Sequence, residues 1–265
     1  MKHYFYRSHI MKTSLTSLIF AGLIIFSSWN FLQAQETQIM VRAKAKDAKF
    51  IATSIGGAEI IIKDSKSGKV LDRGITDGTT GNTEIIMKKD HQRRTDLSDE
   101  KTGGFLAKLA IKEPTLLTIE AHAPVNAKQA EVISSTQIWA LPEKHILGDG
   151  VVLEVPGFIV DIINPQRHST HESGKSLEIK ANVVMMCGCP TSPGGIWDSE
   201  DYEIRAVITH EGEKLQEKEL TYTGELNTFS TEIKELDPGF YTLTVYVYDA
   251  ETGNTGVDKT NLIIR

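Results

Sequence analysis

The sequence lacks the short motifs that mark the common catalytic sites. It contains no Gly-x-Ser-x-Gly nucleophile elbow, no His-Glu-x-x-His pair, no phosphate-cradling glycine loop and no dinucleotide fingerprint. Each of these motifs holds a nucleophile, a metal ion or a phosphate group in a fixed place. Their absence argues against the hydrolases, metalloproteases and nucleotide-dependent enzymes that use them, and we expect a protein that is not an enzyme.

Long apolar runs are missing as well, except near the N-terminus. There Lys2, Arg7 and Lys12 precede an uncharged, mostly apolar stretch, and the small residue Ala34 follows it. This order is that of a secretory signal peptide. We predict that residues 1–34 are a signal peptide cleaved after Ala34, with an uncleaved anchor as the alternative. The remainder contains no apolar stretch long enough to span a membrane.

A surplus of positive charge is also absent. The chain has 29 Lys and Arg against 35 Asp and Glu, a net charge of −6. The three basic residues of the leader leave 26 in the remainder, whose net charge is −9. An acidic chain does not attract nucleic acid or an anionic membrane. We expect a secreted, periplasmic or cell-surface protein whose partner is an exported protein or a surface component, with no nucleic acid.

Helical spacing of apolar residues is rare, whereas short β-branched runs that alternate by twos recur throughout. Gly and Asn separate these runs, which is typical of an all-β protein. The 231 residues after residue 34 suffice for two domains of about 100 residues each. We predict two tandem β-sandwich domains, at 35–156 and 157–265. In the first domain the predicted strands are 38–45, 50–54, 58–63, 83–87, 105–111 and 115–121.

Two other segments of the first domain have no clear strand pattern. Residues 88–104 are strongly charged, and we predict a long, solvated hairpin loop there. Residues 124–156 alternate short apolar runs with Pro and Gly. That pattern fits further strands of the first domain and a connector equally well.

The central hairpin of the first domain has a recurring pattern of strand and turn residues. An apolar run ends in Asp64, a turn follows at Gly68, and a short strand leads to Thr76, Asp77 and Gly81. The pattern resembles that of the transthyretin-like or carboxypeptidase-regulatory-like β-sandwich family. The resemblance implies a structural or binding module, and no catalytic residue is carried over.

The second domain contains seven short runs, which is the strand number of an immunoglobulin-like sandwich. Its last hairpin, at 236–256, resembles that of bacterial Ig-like domains, and this resemblance implies a binding or spacer module. The Cys…Trp…Cys pattern of antibody-type domains is absent. The predicted strands are 158–163, 176–186, 202–209, 217–222, 228–233, 241–248 and 257–264.

Cysteine is scarce, and both cysteines stand in one short segment. Cys187 and Cys189 flank Gly188 directly after Met185 and Met186. Two thiols beside two thioethers are soft ligands, which favour Cu(I) over hard cations. We predict a soft-metal site made of these two cysteines and two methionines, with copper as its cofactor. The spacing is neither that of a zinc site nor that of a thioredoxin-like redox motif.

Other interpretations of the same residues stay open. The methionines can fill the core of a strand, while the cysteines form a local disulfide, stay half-buried or carry thiol chemistry. Histidines do not complete a metal site. His168 and His171 precede the strand at 176–186, whereas Cys187 and Cys189 follow it, and a strand of that length separates them by about 30 Å.

Taken together, these features predict an exported, non-enzymatic binding or scaffold protein. Its specific form would be soft-metal handling through the Cys-Gly-Cys loop, which we expect to be its functional surface. The alternative is a cell-surface, adhesin-like module that binds protein or glycan through loops at the end of a sandwich.

Overall fold

The computed structural model describes Met1 and residues 36–265, so the predicted signal peptide lies outside the described residues apart from Met1. Residues 36–265 form one compact unit. No helix in this described part is both long and apolar enough to cross a membrane. Cleavage after Ala34 stays a prediction.

Strands dominate the described residues, which confirms the all-β prediction. The helical elements of this part are three 3₁₀ turns and one five-residue π-helical turn at Glu84–Lys88. The strands are β1 (Thr37–Ala45), β2 (Glu59–Asp64), β3 (Val70–Ile75), β4 (Phe105–Leu109), β5 (Thr115–Ala123), β6 (Val132–Ala140), β7 (Ile146–Val155), β8 (Phe158–Asn164), β9 (Ser169–His171), β10 (Leu177–Met185), β11 (Tyr202–His210), β12 (Glu213–Glu219), β13 (Thr221–Tyr222), β14 (Thr228–Ile233), β15 (Gly239–Asp249) and β16 (Thr255–Ile264).

Strands β1 to β7 form the first sandwich, which has two sheets. One sheet has the order β4-β1-β7 and the other the order β3-β2-β5-β6. Strand β1 runs antiparallel to β4 and parallel to β7. Because side chains alternate along a strand, every second residue faces the opposite sheet. Ile39 and Val41 of β1 and Ile119 of β5 are fully buried in this way.

The segment 124–156 belongs to the first sandwich and is not a connector. It contains β6 and β7, and these strands complete one sheet each. Strand β6 pairs with β5 along its whole length, and β7 pairs with β1. The sequence pattern left this choice open, because both interpretations fit short apolar runs separated by Pro and Gly.

Strands β8 to β16 form the second sandwich, which has an Ig-like strand order. One sheet has the order β13-β14-β10-β8 and the other the order β12-β11-β15-β16-β9. With β8, β10, β11, β13, β14, β15 and β16 as strands A to G, these are the ABED and CFG sheets of the immunoglobulin fold, and β12 is added beside strand C. Strand β9 pairs in parallel with β16 at the far edge.

The strand predicted at 83–87 is wrong. The chain forms the π-helical turn Glu84–Lys88 there. The side-chain Oδ1 of Asn82 accepts a hydrogen bond of 2.9 Å from the backbone N–H of Glu84 and so caps the turn. Ile86 is its one buried residue, and a single inward anchor does not require an extended chain.

The strand predicted at 50–54 is also wrong. Phe50 makes only an isolated bridge with Lys44. The chain then turns through Thr53–Ile55, and Gly56 ends this turn with a left-handed φ of 81° that glycine adopts readily. The turn carries Ile55 to the surface that contacts the second sandwich.

The charged segment 88–104 contains no strand, as predicted, but it is tied to the body of the first sandwich. The carboxylate of Asp149 accepts hydrogen bonds from the backbone N–H groups of Leu97 and Ser98, at 2.9 and 2.8 Å. The buried guanidinium of Arg42 donates to the carbonyl oxygen of Gly103 at 2.9 Å. These contacts fix the second half of the segment in place.

Candidate functional site

The Cys-Gly-Cys segment lies where β10 ends. Cys187 and Cys189 are joined in a disulfide, and the described residues contain no free cysteine. The backbone N–H of Gly188 donates to the carbonyl oxygen of Met185 at 2.7 Å, and the N–H of Met185 donates to the carbonyl oxygen of Cys189 at 3.0 Å. The local disulfide, one of the alternatives weighed from the sequence, is therefore present.

The expectation that this segment is an exposed functional surface is wrong. Cys187 and Cys189 are 1% and 5% exposed, and Met185 and Met186 are buried completely or nearly so. Within 185–197 the exposed residues are Pro190 and the loop tip at 193–196. Gly188, between the two cysteines, packs against the first sandwich.

That packing forms a junction, which we define by Asp47 and Ile55 of the first sandwich and Gly188, Trp197 and Asn254 of the second. A Cβ atom placed on Gly188 would lie 2.5 Å from Cγ2 of Ile55, so the two sandwiches touch at this glycine. Trp197 is 5% exposed, and its Nε1–H donates to the carbonyl oxygen of Asp47 at 2.9 Å. Trp197 is thus a packing residue of the junction.

Asn254 connects three parts of the chain through its fully buried side chain. Its Nδ2 donates to the carbonyl oxygen of Lys46 at 3.1 Å, and its Oδ1 accepts from the backbone N–H of Gly157 at 2.9 Å. The amide therefore ties the β15–β16 hairpin to the first sandwich and to the short link before β8. The buried apolar residues of both sandwiches form one continuous cluster through the junction.

Acidic groups of both sandwiches approach each other beside the junction. Partial burial raises the pKa of Asp47, and repulsion by Asp249 adds to the effect, while Lys44 opposes it. Burial raises the pKa of the Tyr202 hydroxyl in the same region, with Asp249 and Asp47 as further causes. Asp249 is 4% exposed, and its Oδ1 accepts from the backbone N–H of Glu251 at 2.9 Å. Ionisation of the Asp47 carboxyl is therefore less favourable in the folded chain than in the unfolded chain.

A cleft of about 440 Å³ opens on another side of the same contact. Residues 129–132 of the first sandwich form one wall, and β15 and β16 form the other. Met186 and Phe158 lie at its base, and Tyr248, 40% exposed, lines its mouth. Its size is within the range of small-molecule sites in proteins, and its lining is mostly apolar.

The described arrangement does not fit a Cu(I) ion. A disulfide offers no thiolate, and Met185 Sδ receives the Tyr202 hydroxyl at 3.9 Å. No group of three or more His, Cys, Asp or Glu side chains in the described part of the chain is placed to hold a metal ion. The soft-metal site at Met185, Met186, Cys187 and Cys189 thus applies only to a reduced form of the chain and stays a prediction.

The histidines lie apart from the cysteines. His168 is exposed, and His171 lies in β9, where its Nε2 is 2.7 Å from Oγ of Ser169. Both precede β10, at the opposite end of that strand from Cys187. His210 is bound at Nδ1 to the carbonyl oxygen of Phe240 at 2.9 Å.

Sequence reasoning missed the residues that matter most at the junction. Asp47, Ile55 and Asn254 belong to ordinary turns in sequence. Asn254 follows Gly253 in a turn, and this position alone does not indicate that its side chain is fully buried. Gly188 stands between the two cysteines and Trp197 follows Cys189 by eight positions, but nothing in the sequence connects either residue to the first sandwich.

No known protein family matches this chain, and no curated protein matches it. Its similarities are to solved structures. An engineered protein is 15% identical over 44% of this chain, with a TM-score of 0.32, and this chain spans only 22% of that protein. The fibronectin(III)-like modules of Clostridium thermocellum CbhA are 10% identical, with 85% of this chain and 88% of theirs covered and a TM-score of 0.29.

The chicken interferon gamma receptor alpha chain is 12% identical, with 86% of this chain and 97% of the receptor chain covered and a TM-score of 0.30. Similarity at this level carries no argument about function. The Ig-like assignment of the second sandwich stands on its own strand order.

The junction contact at Gly188 predicts a specific loss of stability. Gly188→Ala places a methyl group at a φ of 74° and against Ile55, so we expect unfolding to become easier by about 2 kcal/mol or more. Gly194→Ala is the matched control, because Gly194 has a φ of 67° but no atom within 4 Å of the added Cβ. Urea unfolding of residues 36–265 measures both, and equal losses would remove the role of the contact.

Asp47→Asn tests the electrostatic cost at the junction. A raised carboxyl pKa means that the folded protein binds the proton more tightly, so the cost is absent at low pH and develops as pH rises through that pKa. We expect Asp47→Asn to raise Tm at pH 7 and to leave it unchanged near pH 3. Asn keeps the positive φ of this position (55°) accessible. A gain that is equal at both pH values would contradict this origin.

The disulfide predicts that the oxidised chain does not take up Cu(I). Titration of residues 36–265 against a chromophoric Cu(I) chelator should show no competition before reduction. After reduction, binding that disappears in Cys187→Ser/Cys189→Ser would support the soft-metal prediction. Equal uptake by the oxidised protein and by this double variant would place any copper elsewhere.

Proposed function

We propose that this chain is an exported, non-enzymatic scaffold or binding module of the cell surface or periplasm. One observation carries the proposal: two β-sandwiches are closed into a single compact unit by buried contacts at Trp197 and Asn254. A junction with buried hydrogen bonds of this kind holds the surfaces of the two sandwiches in a constant relation. This is the property that a spacer or a presenting module requires.

The domain limits 35–156 and 157–265 are part of this proposal. Every strand of the first sandwich ends by Val155, and the first strand of the second begins at Phe158. Pro156 and Gly157 lie between them, and neither residue favours a continuous strand.

The first sandwich is proposed to be transthyretin-like. The residues of the resemblance have structural roles that support this assignment. The Asp64 Oδ1 accepts hydrogen bonds from the backbone N–H groups of Lys66 and Ser67, at 2.9 and 2.8 Å, and shapes the β2–β3 hairpin. Thr76 is buried, and its hydroxyl donates to the carbonyl oxygen of Ile51 at 2.9 Å.

The adhesin-like alternative is favoured over copper handling by the joined cysteines. The disulfide leaves the metal hypothesis without its two thiolate ligands, whereas a protein or glycan ligand needs none. The cleft between residues 129–132 and β15–β16 offers such a ligand an apolar floor and the Tyr248 ring at its mouth.

Export is the part of the proposal that one experiment decides. The full chain is expressed in a bacterial host with its own N-terminus, and mass spectrometry measures the protein in each cell fraction. We expect the product outside the cytoplasm and beginning at Gln35. Ala34→Asp is the control, since an acidic residue at the cleavage position should leave the leader attached. Uncleaved wild-type chain in the cytoplasm would contradict the proposal.

A further inference from the structure

Strand β6 (Val132–Ala140) is the last strand of its sheet, and near one end the hydroxyl of Ser134 donates a hydrogen bond to the carbonyl oxygen of Glu154 on β7 at 2.6 Å. Strand β6 is paired with β5 along its whole length and ends the sheet order β3-β2-β5-β6. One side of its backbone therefore carries no partner strand within the described part of the chain. Exposed strand edges present a row of N–H and C=O groups to which another strand can add.

The sequence of β6 has none of the devices that usually block such an edge. Proteins protect edge strands with charged side chains, Pro, bulges or very short length. Strand β6 has nine residues, no charged side chain, no Pro and no Gly. Among the other edge strands of the described residues, β3, β4, β7, β8 and β12 each contain a charged residue, and β9 and β13 have only three and two residues.

The exposed residues of β6 are arranged symmetrically about Thr136. Ile133 and Trp139 are 61% and 58% exposed, and Ser135 and Gln137 lie between them on the same outer face of the strand. If a second β6 runs antiparallel with Thr136 at the centre, each Ile133 faces a Trp139 and each Ser135 faces a Gln137. Aromatic and β-branched residues opposite each other stabilise a sheet.

We propose that β6 pairs with β6 of a second copy of this chain, antiparallel and two-fold symmetric about Thr136. The two four-stranded sheets then join into one continuous eight-stranded sheet. A two-fold interface must be complementary to itself, so that each contact occurs twice. Strand β6 meets this condition with its two Ile–Trp contacts, its two Ser–Gln contacts and its lack of charge.

The interface predicts that residues 36–265, with the disulfide intact, form a dimer. Sedimentation equilibrium over a range of concentrations gives its Kd. Trp139→Ala removes one contact at each end and should raise Kd at least about tenfold, since buried Trp residues dominate many interfaces. Phe240→Ala is the matched control, because Phe240 is 76% exposed on β15 of the second sandwich and should leave Kd unchanged.

A pair of charge variants tests the register. Ser135→Glu/Gln137→Glu places like charges opposite each other in the dimer and should yield a monomer. Ser135→Lys/Gln137→Glu places Lys opposite Glu at both sites and should restore the dimer. Circular dichroism and Tm of every variant confirm that the monomer fold persists, which matters because Ser135 also faces Glu120 on β5.

Three results would overturn the proposal. One is a wild-type protein that stays monomeric at all concentrations, as it would if β6 receives a strand from a different protein. Another is a dimer whose Kd is unchanged by Trp139→Ala and Ser135→Glu/Gln137→Glu. The third is a dimer that Ser135→Lys/Gln137→Glu fails to restore.

Discussion

The burial of hydrogen-bonding groups at the junction constrains the rest of the structure. A buried donor without a partner costs of the order of 1–3 kcal/mol, and the indole N–H of Trp197 and the amide of Asn254 are both buried. Their acceptors are the neighbouring backbone carbonyls of Asp47 and Lys46. The turn that follows β1 therefore accepts hydrogen bonds from two distant parts of the second sandwich. These two bonds fix the position of the second sandwich against the first.

The role of the disulfide follows from its place at this junction. In sequence, Cys187 and Cys189 look like a ligand pair, because two soft donors stand one residue apart. In the fold, the bond between them closes the turn whose central residue, Gly188, touches Ile55. A compact turn lets the second sandwich approach closely, whereas a side chain at its tip would hold it away. The same residues thus serve packing without any requirement for a metal.

The sequence predicted those parts of the fold that depend on neighbouring residues. Strand β10 shows apolar residues at every second position, and its inward face is buried as that pattern requires. Strand β14 occupies the predicted residues 228–233. The pattern failed where a local cap competed with it, as at Asn82 before the turn Glu84–Lys88. It also failed for β9, which has three residues and forms only through pairing with β16.

The junction lies beyond what the sequence can predict, since its partners are far apart along the chain. Trp197 and Asp47 are separated by 150 positions, and no periodicity or spacing connects them. A buried tryptophan is expected in most sandwiches. Only the folded chain shows that the indole N–H of Trp197 donates its hydrogen bond to the other sandwich. The self-complementary edge at β6 is an intermediate case. Its uncharged sequence was visible from the start, but its position at the end of a sheet was not.

The parallel strand pairs have a mechanical consequence. In the first sandwich the entering strand β1 lies beside the departing strand β7, and in the second the early strand β9 lies beside the final strand β16. Tension applied along the chain pulls the two members of each pair in opposite directions, along their length. The hydrogen bonds of a pair are then loaded in shear and must break together, whereas a hairpin pulled at its open end unzips one bond at a time. The first sandwich is therefore connected in a geometry that resists stretching, and in the second the same geometry is loaded once tension passes β8 and reaches β9.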